Sequence, residues 1–269
     1  MDSLDHKYQT LLDYFKNLES VAVAFSGGVD STFLLAASKE ALGDRTIGIT
    51  INSPSFSKKE LEESHRLAGS IGTKHVILTD QVIEDEIRFN PENRCYFCKK
   101  NEFGAIIEEA TRLGYNWVID GSNVDDLSDY RPGQKAIKEL KVKSPLVELG
   151  FTKDDIRSLS KKIGLDTWDK PAAACLYSRI PYGSEIKPED LEKVEKSEDY
   201  LQGLGFRQVR VRCHDKLARI EVNKTDFSRL LDDALRVAVY KQLKGYGFDF
   251  ITIDIIGYRM GSFNELIGK

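Results

Sequence analysis

The apolar positions in the first half of the chain predict short buried strands that alternate with amphipathic helices. Apolar residues recur at helical spacing over 4–18, and a continuous apolar run at 21–25 predicts the first strand. Similar runs at 47–51, 75–78 and 117–120 predict three more strands, with helical patterns between them. This alternation is typical of a parallel sheet with helices on both faces, so the sequence predicts an α/β fold.

The pattern changes near residue 180. The later positions predict, in order, a helix from Pro188 to 204, strands at 208–212 and 218–222, a helix at 227–243 and a strand at 250–255. We therefore predict a larger parallel-sheet domain over 1–180 and a smaller α-β-β-α-β domain over 181–269. The tract at 170–175 and the turn at 180–183 are expected to form the junction.

Composition narrows the class of protein. Of the 269 residues, 41% are hydrophobic, which supports a packed core. The net charge of −4 disfavours a nucleic-acid partner, since such binders usually carry a basic domain. No apolar run approaches the roughly 18 residues of a membrane span, and the first residues lack the layout of a secretion signal. We predict a cytoplasmic protein with no membrane partner.

A glycine-rich turn follows the first predicted strand, where residues 26–31 read Ser-Gly-Gly-Val-Asp-Ser. Glycines let backbone N–H groups face an anion, and the following helix adds a partial positive charge. Ser26 and Ser31 add hydroxyl donors, while the acidic Asp30 would need a divalent cation to lie beside phosphate. The residues alone also permit a plain glycine turn in which Asp30 or Ser31 caps the helix.

A second polar turn follows the fourth predicted strand. Asp120, Asn123 and Asp126 lie where ligands of open parallel sheets usually bind. They are candidates for contact with a metal or a nucleotide, and the alternative is a capped turn.

The string at 26–31 resembles the PP-loop of the ATP pyrophosphatases, S-G-G-x-D-S, and lacks the Gly-Lys-Ser/Thr of a Walker loop. The resemblance implies an adenine-nucleotide alpha-hydrolase-like domain that binds ATP and Mg²⁺. In that family a substrate oxygen attacks the α-phosphate, pyrophosphate leaves and an adenylated substrate remains. The implied nucleotide-binding residues are Ala24, Ser26, Gly27, Gly28, Val29, Asp30, Ser31 and Gly121.

The cysteines suggest a second chemistry. Cys95 and Cys98 form a C-x-x-C pair, whose spacing alone permits a redox pair, half a zinc site, cluster ligands or packing at a helix start. Cys175 lies four residues before Arg179, whose charge would stabilise a thiolate or a phosphate. Two close cysteines and a remote one suit a [4Fe–4S] cluster with one open iron. Cys213, inside a strand pattern, is expected to be a thiol without a functional role.

Four further stretches sharpen the resemblance: residues 129–133, 178–183, 209–212 and 218–221. Together with Cys175 they resemble the sulfur-inserting enzymes of nickel-pincer nucleotide biosynthesis, which supplies the cofactor of lactate racemase. The resemblance extends from about residue 4 to the C-terminus. It implies a small-molecule substrate, pyridinium-3,5-biscarboxylic acid mononucleotide, whose adenylated carboxylate accepts sulfur as AMP leaves. It also implies a homo-oligomer.

The same resemblance assigns residue roles. The implied catalytic residues are Cys175, Asp30 and Arg179, and the implied substrate or phosphate contacts are Ser178, Arg179, Glu198, Arg210 and Arg212. Members with a single cysteine sacrifice its sulfur and retain dehydroalanine. This chain also has Cys95 and Cys98, so it resembles a three-cysteine variety in which Cys95, Cys98 and Cys175 hold a [4Fe–4S] cluster.

Alternatives remain for several residues and for the function. Arg210 and Arg212 lie on one face of a strand, where arginine forks suit phosphate, although a solvated strand face has the same pattern. Glu198 has the alternative of a solvated helix position. For the whole chain, the alternatives are tRNA thiolation, amidation and nucleotide binding without catalysis.

Overall fold

The structure is a computed structural model that describes residues 3–128, 132–171, 174–259 and 261–263. Contacts divide the chain into two compact units. Unit 1 comprises residues 1–81 and 93–173, and unit 2 comprises 82–92 and 174–269. The domain boundary placed after residue 180 stays a prediction.

The regular elements are as follows. The strands are β1 Val21–Ala24, β2 Thr46–Asn52, β3 Lys74–Thr79, β4 Trp117–Ile119, β5 Val209–His214, β6 Leu217–Val222 and β7 Phe250–Ile253. The helices are α1 Ser3–Leu18, α2 Val29–Leu42, α3 Lys58–Ile71, α4 Asp85–Arg88, α5 Arg94–Arg112, α6 Gly133–Glu139, α7 Pro145–Glu148, α8 Lys153–Lys162, α9 Pro188–Gly203, α10 Phe227–Leu230 and α11 Asp233–Gly245.

Unit 1 contains a parallel sheet with strand order β3-β2-β1-β4. The central strand β1 pairs with β2 from Val21 opposite Thr46, and with β4 from Val21 opposite Trp117. Because all strands run in the same direction, their carboxyl ends meet at one edge. The turn at 26–31 and the turn that begins at Asp120 therefore leave the sheet side by side.

Both faces of this sheet are covered, which explains the continuous apolar runs of its strands. On one face Phe15 of α1 and Phe33 of α2 pack with Phe151 in a buried cluster. On the other face Phe103 and Ile106 of α5 pack against β1, β2 and β4. The predicted α/β fold class, with a parallel sheet between helices, is confirmed.

Unit 2 contains a three-stranded sheet with the order β5-β6-β7. Strands β5 and β6 form an antiparallel hairpin, and β7 joins β6 in parallel. The single helix expected at 227–243 is wrong, because the chain forms α10 and α11 instead. Asp232 causes the break, since its side chain accepts a hydrogen bond from Leu235 N at 3.0 Å and caps α11.

No helix within the described ranges has both the length and the apolar character that a bilayer span requires.

Candidate functional site

The turn between β1 and α2 gathers polar groups at a helix N-terminus. Gly27 has φ +68°, which favours glycine, and a β-carbon there would lie 3.2 Å from Cα of Ser64. The hydroxyls of Ser26 and Ser31 are 3.1 Å apart, and Ser26 N lies 3.3 Å from Ser31 Oγ. Gly28 is the N-cap of α2, a helix of 14 residues. This arrangement is well suited to an anion.

The end of β4 packs directly against this turn. A β-carbon on Gly121 would lie 3.0 Å from the backbone N of Ser31 and 3.2 Å from the backbone carbonyl carbon of Asp30. Any larger residue would require these backbone atoms to shift by a few tenths of an ångström, so the close approach favours glycine. The structure therefore brings Gly121 to the loop, while its contact with nucleotide stays a prediction.

The two carboxylate oxygens of Asp30 have different surroundings among the described residues. Its Oδ2 forms an ion pair with Lys153 Nζ. Its Oδ1 is buried and accepts no hydrogen bond from the described residues. A buried carboxylate oxygen without a partner costs free energy, and Mg²⁺ binds such oxygens. Asp30 therefore fits the predicted Mg²⁺.

Two lysines beside the loop were missed by the sequence analysis. Lys153 lies in the first turn of α8 and pairs with Asp30, and Lys170 Nζ donates to Gly27 O at 3.0 Å. Lys170 also pairs with Glu63 at 2.6 Å. A cation in the first turn of a helix is repelled by the positive end of the helix dipole. This unfavourable position could have indicated from the sequence that Lys153 has a specific partner. Nothing local distinguished Lys170.

The turn after β4 is held by its own polar groups. The Asp120 carboxylate accepts hydrogen bonds from Ser122 Oγ and, at 2.5 Å, from Ser144 Oγ. Asn123 N donates to Asp126 Oδ2 at 3.1 Å. This geometry is the capped turn that the sequence left as an alternative. It also fixes the backbone that carries Gly121.

Cys95 and Cys98 lie one helical turn apart at the start of α5, and both are partly exposed. Residues three apart are neighbours on a helix surface, so two thiolates could bind the same metal centre. Arg94 Nη2 lies 4.0 Å from Cys95 Sγ. Among the described residues, no group of three or more Cys, His, Asp or Glu side chains is arranged to hold a metal ion. The pair fits as two soft ligands of the expected cluster.

Cys175 belongs to unit 2, where its side chain is exposed. Its backbone carbonyl accepts hydrogen bonds from Ser178 Oγ at 2.8 Å and from Arg179 Nη1 at 3.1 Å. Arg179 also donates to Ala174 O at 2.7 Å. The backbone around the thiol is thus fixed by its neighbours, while the sulfur remains accessible.

A buried ion pair anchors this segment to α9. Arg179 donates to Glu198 through Nε at 2.8 Å and through Nη2 at 2.9 Å, and both side chains are less than 10% exposed. Burial favours a higher pKa for Glu198, but the charge of Arg179 and its hydrogen bonds outweigh burial, so the pKa lies below its usual value. The interpretation of Glu198 as a solvated helix residue is wrong.

Arg210 and Arg212 are also buried, so the solvated strand face is wrong. Arg212 donates to Ser178 O at 2.8 Å and pairs with Glu221 at 2.7 Å. Burial, and then repulsion from Arg179, lower the pKa of Arg210.

We call Arg179, Arg210, Arg212, Glu198 and Glu221 the arginine cluster. Each of its carboxylates pairs with one of its arginines, Glu198 with Arg179 and Glu221 with Arg212. Arginine forks gathered on one buried strand suit an anion such as phosphate.

Glu198→Gln is expected to lower the free energy of unfolding by about 3–5 kcal/mol, because the guanidinium of Arg179 would stay buried without its carboxylate. Urea denaturation measures the loss. The matched control is Glu192→Gln on the same helix, whose pair with Lys196 is more than half exposed, and which should cost less than about 1 kcal/mol. Equal effects of the two variants would contradict the structural role of Glu198.

The same pair has a defined pH dependence. The pKa of Glu198 is lower in the folded chain than its usual 4.5, so the unfolded chain takes up this proton first as the pH falls. The stabilisation is present above the usual pKa and is lost as the pH falls through the folded pKa. The difference in the free energy of unfolding between wild type and Glu198→Gln should therefore stay constant near neutral pH and decrease only at acidic pH.

The structure thus places the predicted residues in two groups. The loop residues and Gly121, with Ala24 at the end of β1 and Val29 at the start of α2, lie in unit 1 with Cys95 and Cys98. Cys175 and the arginine cluster, with Ser178, lie in unit 2. Asp129, Tyr130 and Arg131 of the motif at 129–133 lie outside the described residues.

Comparison with known proteins identifies the family. No family model matches the chain. A pyridinium-3,5-bisthiocarboxylic acid mononucleotide synthase from Lactiplantibacillus plantarum is 36% identical, over 100% of this chain and 98% of its own length. The chain belongs to this synthase family. The expected relationship to sulfur-inserting enzymes is confirmed, and the chain is an enzyme that transfers sulfur.

Two further relatives bear on the alternatives to this assignment. An uncharacterized protein from Synechocystis is 42% identical over 99% of this chain and 100% of its own length. A tRNA-specific 2-thiouridylase from Caldanaerobacter subterraneus is 25% identical over 66% of this chain and 61% of its own length. Membership of the synthase family excludes the binding module without catalysis. The second relative keeps tRNA thiolation as the alternative to test.

Proposed function

We propose that this synthase-family enzyme uses ATP to adenylate a carboxylate of pyridinium-3,5-biscarboxylic acid mononucleotide and then replaces AMP with sulfur. The observation that carries the proposal is the full-length match to a synthase named for a bisthiocarboxylic product. In the first step a carboxylate oxygen bonds to the α-phosphorus and pyrophosphate leaves. In the second a carbon–sulfur bond forms, the carbon–oxygen bond to AMP breaks and a thiocarboxylate remains.

ATP activation is assigned to the loop in unit 1. The N–H groups and hydroxyls of residues 26–31 would bind phosphate oxygens at the N-terminus of α2. Asp30 would hold Mg²⁺ through its unpartnered Oδ1. When bound, Mg²⁺ neutralises phosphate charge and helps pyrophosphate to leave. Lys153 and Lys170 add two cations beside the same loop.

Substrate binding is assigned to the arginine cluster in unit 2. Arg210 and Arg212, with Ser178, would bind the phosphate of the mononucleotide. Arg179 and Glu198 hold the Cys175 segment in place. The burial of Arg210 and Arg212 side by side on β5 supports this assignment.

Sulfur delivery is assigned to Cys175. We propose that Cys95, Cys98 and Cys175 are the ligands of a [4Fe–4S] cluster, and such a cluster would supply sulfide when bound. In its absence the Cys175 thiolate itself would attack the adenylate, and breaking its Cβ–S bond with loss of the α-proton would leave dehydroalanine. We also propose, from the family resemblance, a homo-oligomer that works in the cytoplasm.

One anaerobic experiment tests the proposal. The full-length protein, reconstituted with iron and sulfide, is supplied with Mg²⁺, ATP and either the pyridinium substrate or bulk tRNA. We expect AMP, pyrophosphate and a product in which one oxygen is replaced by sulfur, together with the brown colour and acid-labile sulfide of a cluster. Sulfur in tRNA but not in the small molecule would establish the alternative.

The mass of the protein before and after turnover separates the two sulfur sources. An unchanged mass supports a renewable sulfide. Loss of one H₂S unit from the Cys175 peptide, in a colourless protein whose thiols all titrate, would overturn the cluster and support the sacrificial route.

A further inference from the structure

Three side chains connect the surface of unit 1 to the backbone just before the phosphate-binding loop. Thr50 Oγ1, on β2, donates to Phe25 O at 2.5 Å. The same oxygen lies 2.8 Å from His75 Nε2 on β3. His75 Nδ1 in turn lies 3.4 Å from Nδ1 of His65, an exposed residue on α3. The three side chains thus form a continuous hydrogen-bonded chain.

The donor in each of these bonds follows from the number of hydrogens available. The Thr50 hydroxyl has one hydrogen, and the carbonyl of Phe25 can only accept. Thr50 Oγ1 must therefore accept from His75 Nε2–H. A neutral His75 protonated at Nε2 has a bare Nδ1, so His65 must donate through Nδ1–H.

His75 is neutral near physiological pH. Burial, and then the charge of His65, lower the pKa of His75 to about 4. A neutral His75 therefore fixes the direction of both hydrogen bonds.

The carbonyl of Phe25 accepts the last hydrogen bond of this series. Its orientation fixes the direction of Ser26 N–H, the first backbone donor of the loop. Phe25 C=O and Ser26 N–H belong to one planar trans peptide, in which they point in opposite directions. Thr50 holds the carbonyl, and Phe25 N donates to Ile49 O at 2.9 Å. With the peptide plane fixed, Ser26 N–H points into the loop towards Ser31 Oγ.

We propose that Thr50, His75 and His65 are positioning residues for the triphosphate of ATP. Through the Phe25 carbonyl they orient Ser26 N–H toward Ser31 Oγ, and so fix one of the loop hydroxyls that would bind phosphate oxygens. The inference rests on the proposed function, since it requires ATP at residues 26–31. It assigns a purpose to two histidines and a threonine that lie outside the loop motif.

The test compares two threonines of the same strand. Thr50→Val removes the hydroxyl that links His75 to Phe25 and keeps the branched shape. Thr46→Val is the matched control, because Thr46 is also on β2, is 1% exposed and has an Oγ1 without a hydrogen-bond partner among the described residues. Calorimetry with a non-hydrolysable ATP analogue and Mg²⁺ measures binding to the full-length protein.

We expect Thr50→Val to weaken binding of the analogue about tenfold, which corresponds to one hydrogen bond of about 1.4 kcal/mol. KM for ATP should rise by a similar factor while kcat changes little. Thr46→Val should bind like wild type. His75→Gln, whose amide can still donate to Thr50, should bind more tightly than His75→Leu.

A spectroscopic measurement adds a readout that general destabilisation would not reproduce. Nitrogen-15 chemical shifts at neutral pH should show His75 protonated at Nε2 and bare at Nδ1, and His65 protonated at Nδ1. The opposite tautomer of His75, or equal analogue affinities for Thr50→Val and Thr46→Val, would overturn the inference. Failure of the wild-type protein to bind ATP would instead overturn the proposed function.

Discussion

Cys175→Ala is expected to abolish formation of the thiocarboxylate while ATP is still cleaved to pyrophosphate. Both sulfur routes need this residue, as the source of the sulfur or as a cluster ligand, so product should fall below detection. The backbone at Cys175 is held through its carbonyl by Ser178 and Arg179, and the thiol is exposed. Removing the sulfur should therefore leave the local structure and the loop at 26–31 unchanged.

The measurement is a single-turnover assay of pyrophosphate and thiocarboxylate with the full-length protein. Cys213→Ala is the control. Cys213 is buried, its Sγ lies 3.3 Å from Asp215 O, and burial, and then the charge of Asp190, raise its pKa to about 12. Such a thiol is not ionised near neutral pH, so the control should retain sulfur transfer. Transfer by Cys175→Ala at the wild-type rate would remove Cys175 from both routes.

Asp30→Asn is expected to slow pyrophosphate release by about 10³-fold. The substitution removes the negative charge that would bind Mg²⁺ through Oδ1, and it removes the partner of Lys153. Loss of one group that stabilises developing charge commonly lowers kcat by 10²–10³-fold, and the loss of metal adds to this. Pyrophosphate release with the pyridinium substrate, measured over a range of Mg²⁺ concentrations, is the readout.

Asp44→Asn is a suitable control for the charge change. Asp44 pairs with Lys39 but is about 90% exposed, and the substitution should leave pyrophosphate release unchanged. Lys153→Met tests the lysine separately from the carboxylate. It removes a cation from beside the loop and leaves the Asp30 carboxylate available for Mg²⁺. We expect it to raise KM for ATP. Activity of Asp30→Asn within tenfold of wild type, at the same Mg²⁺ concentration, would contradict the metal-binding role.

Local sequence patterns were sufficient to predict most of the elements of the fold. The apolar runs at 21–25 and 47–51 became β1 and β2, and the glycines at 27 and 28 mark the turn between β1 and α2. These features depend on near neighbours, because a buried parallel strand needs a continuous apolar run and a tight turn needs glycine. The predicted helix at 227–243 was wrong at Asp232, where a capping side chain outweighed the apolar period.

The sequence by itself determined the fold class, the glycine-rich turn at 26–31 and the motif cysteines, since each depends on residues close together in the chain. Only the tertiary structure placed Lys153 on Asp30, which is 123 positions away, and Lys170 on Gly27, which is 143 positions away. It also decided that Glu198, Arg210 and Arg212 are buried, against the pattern of charged residues in a solvated helix and strand. A charge can be buried where an opposite charge from another element compensates it, and local patterning carries no information about that partner.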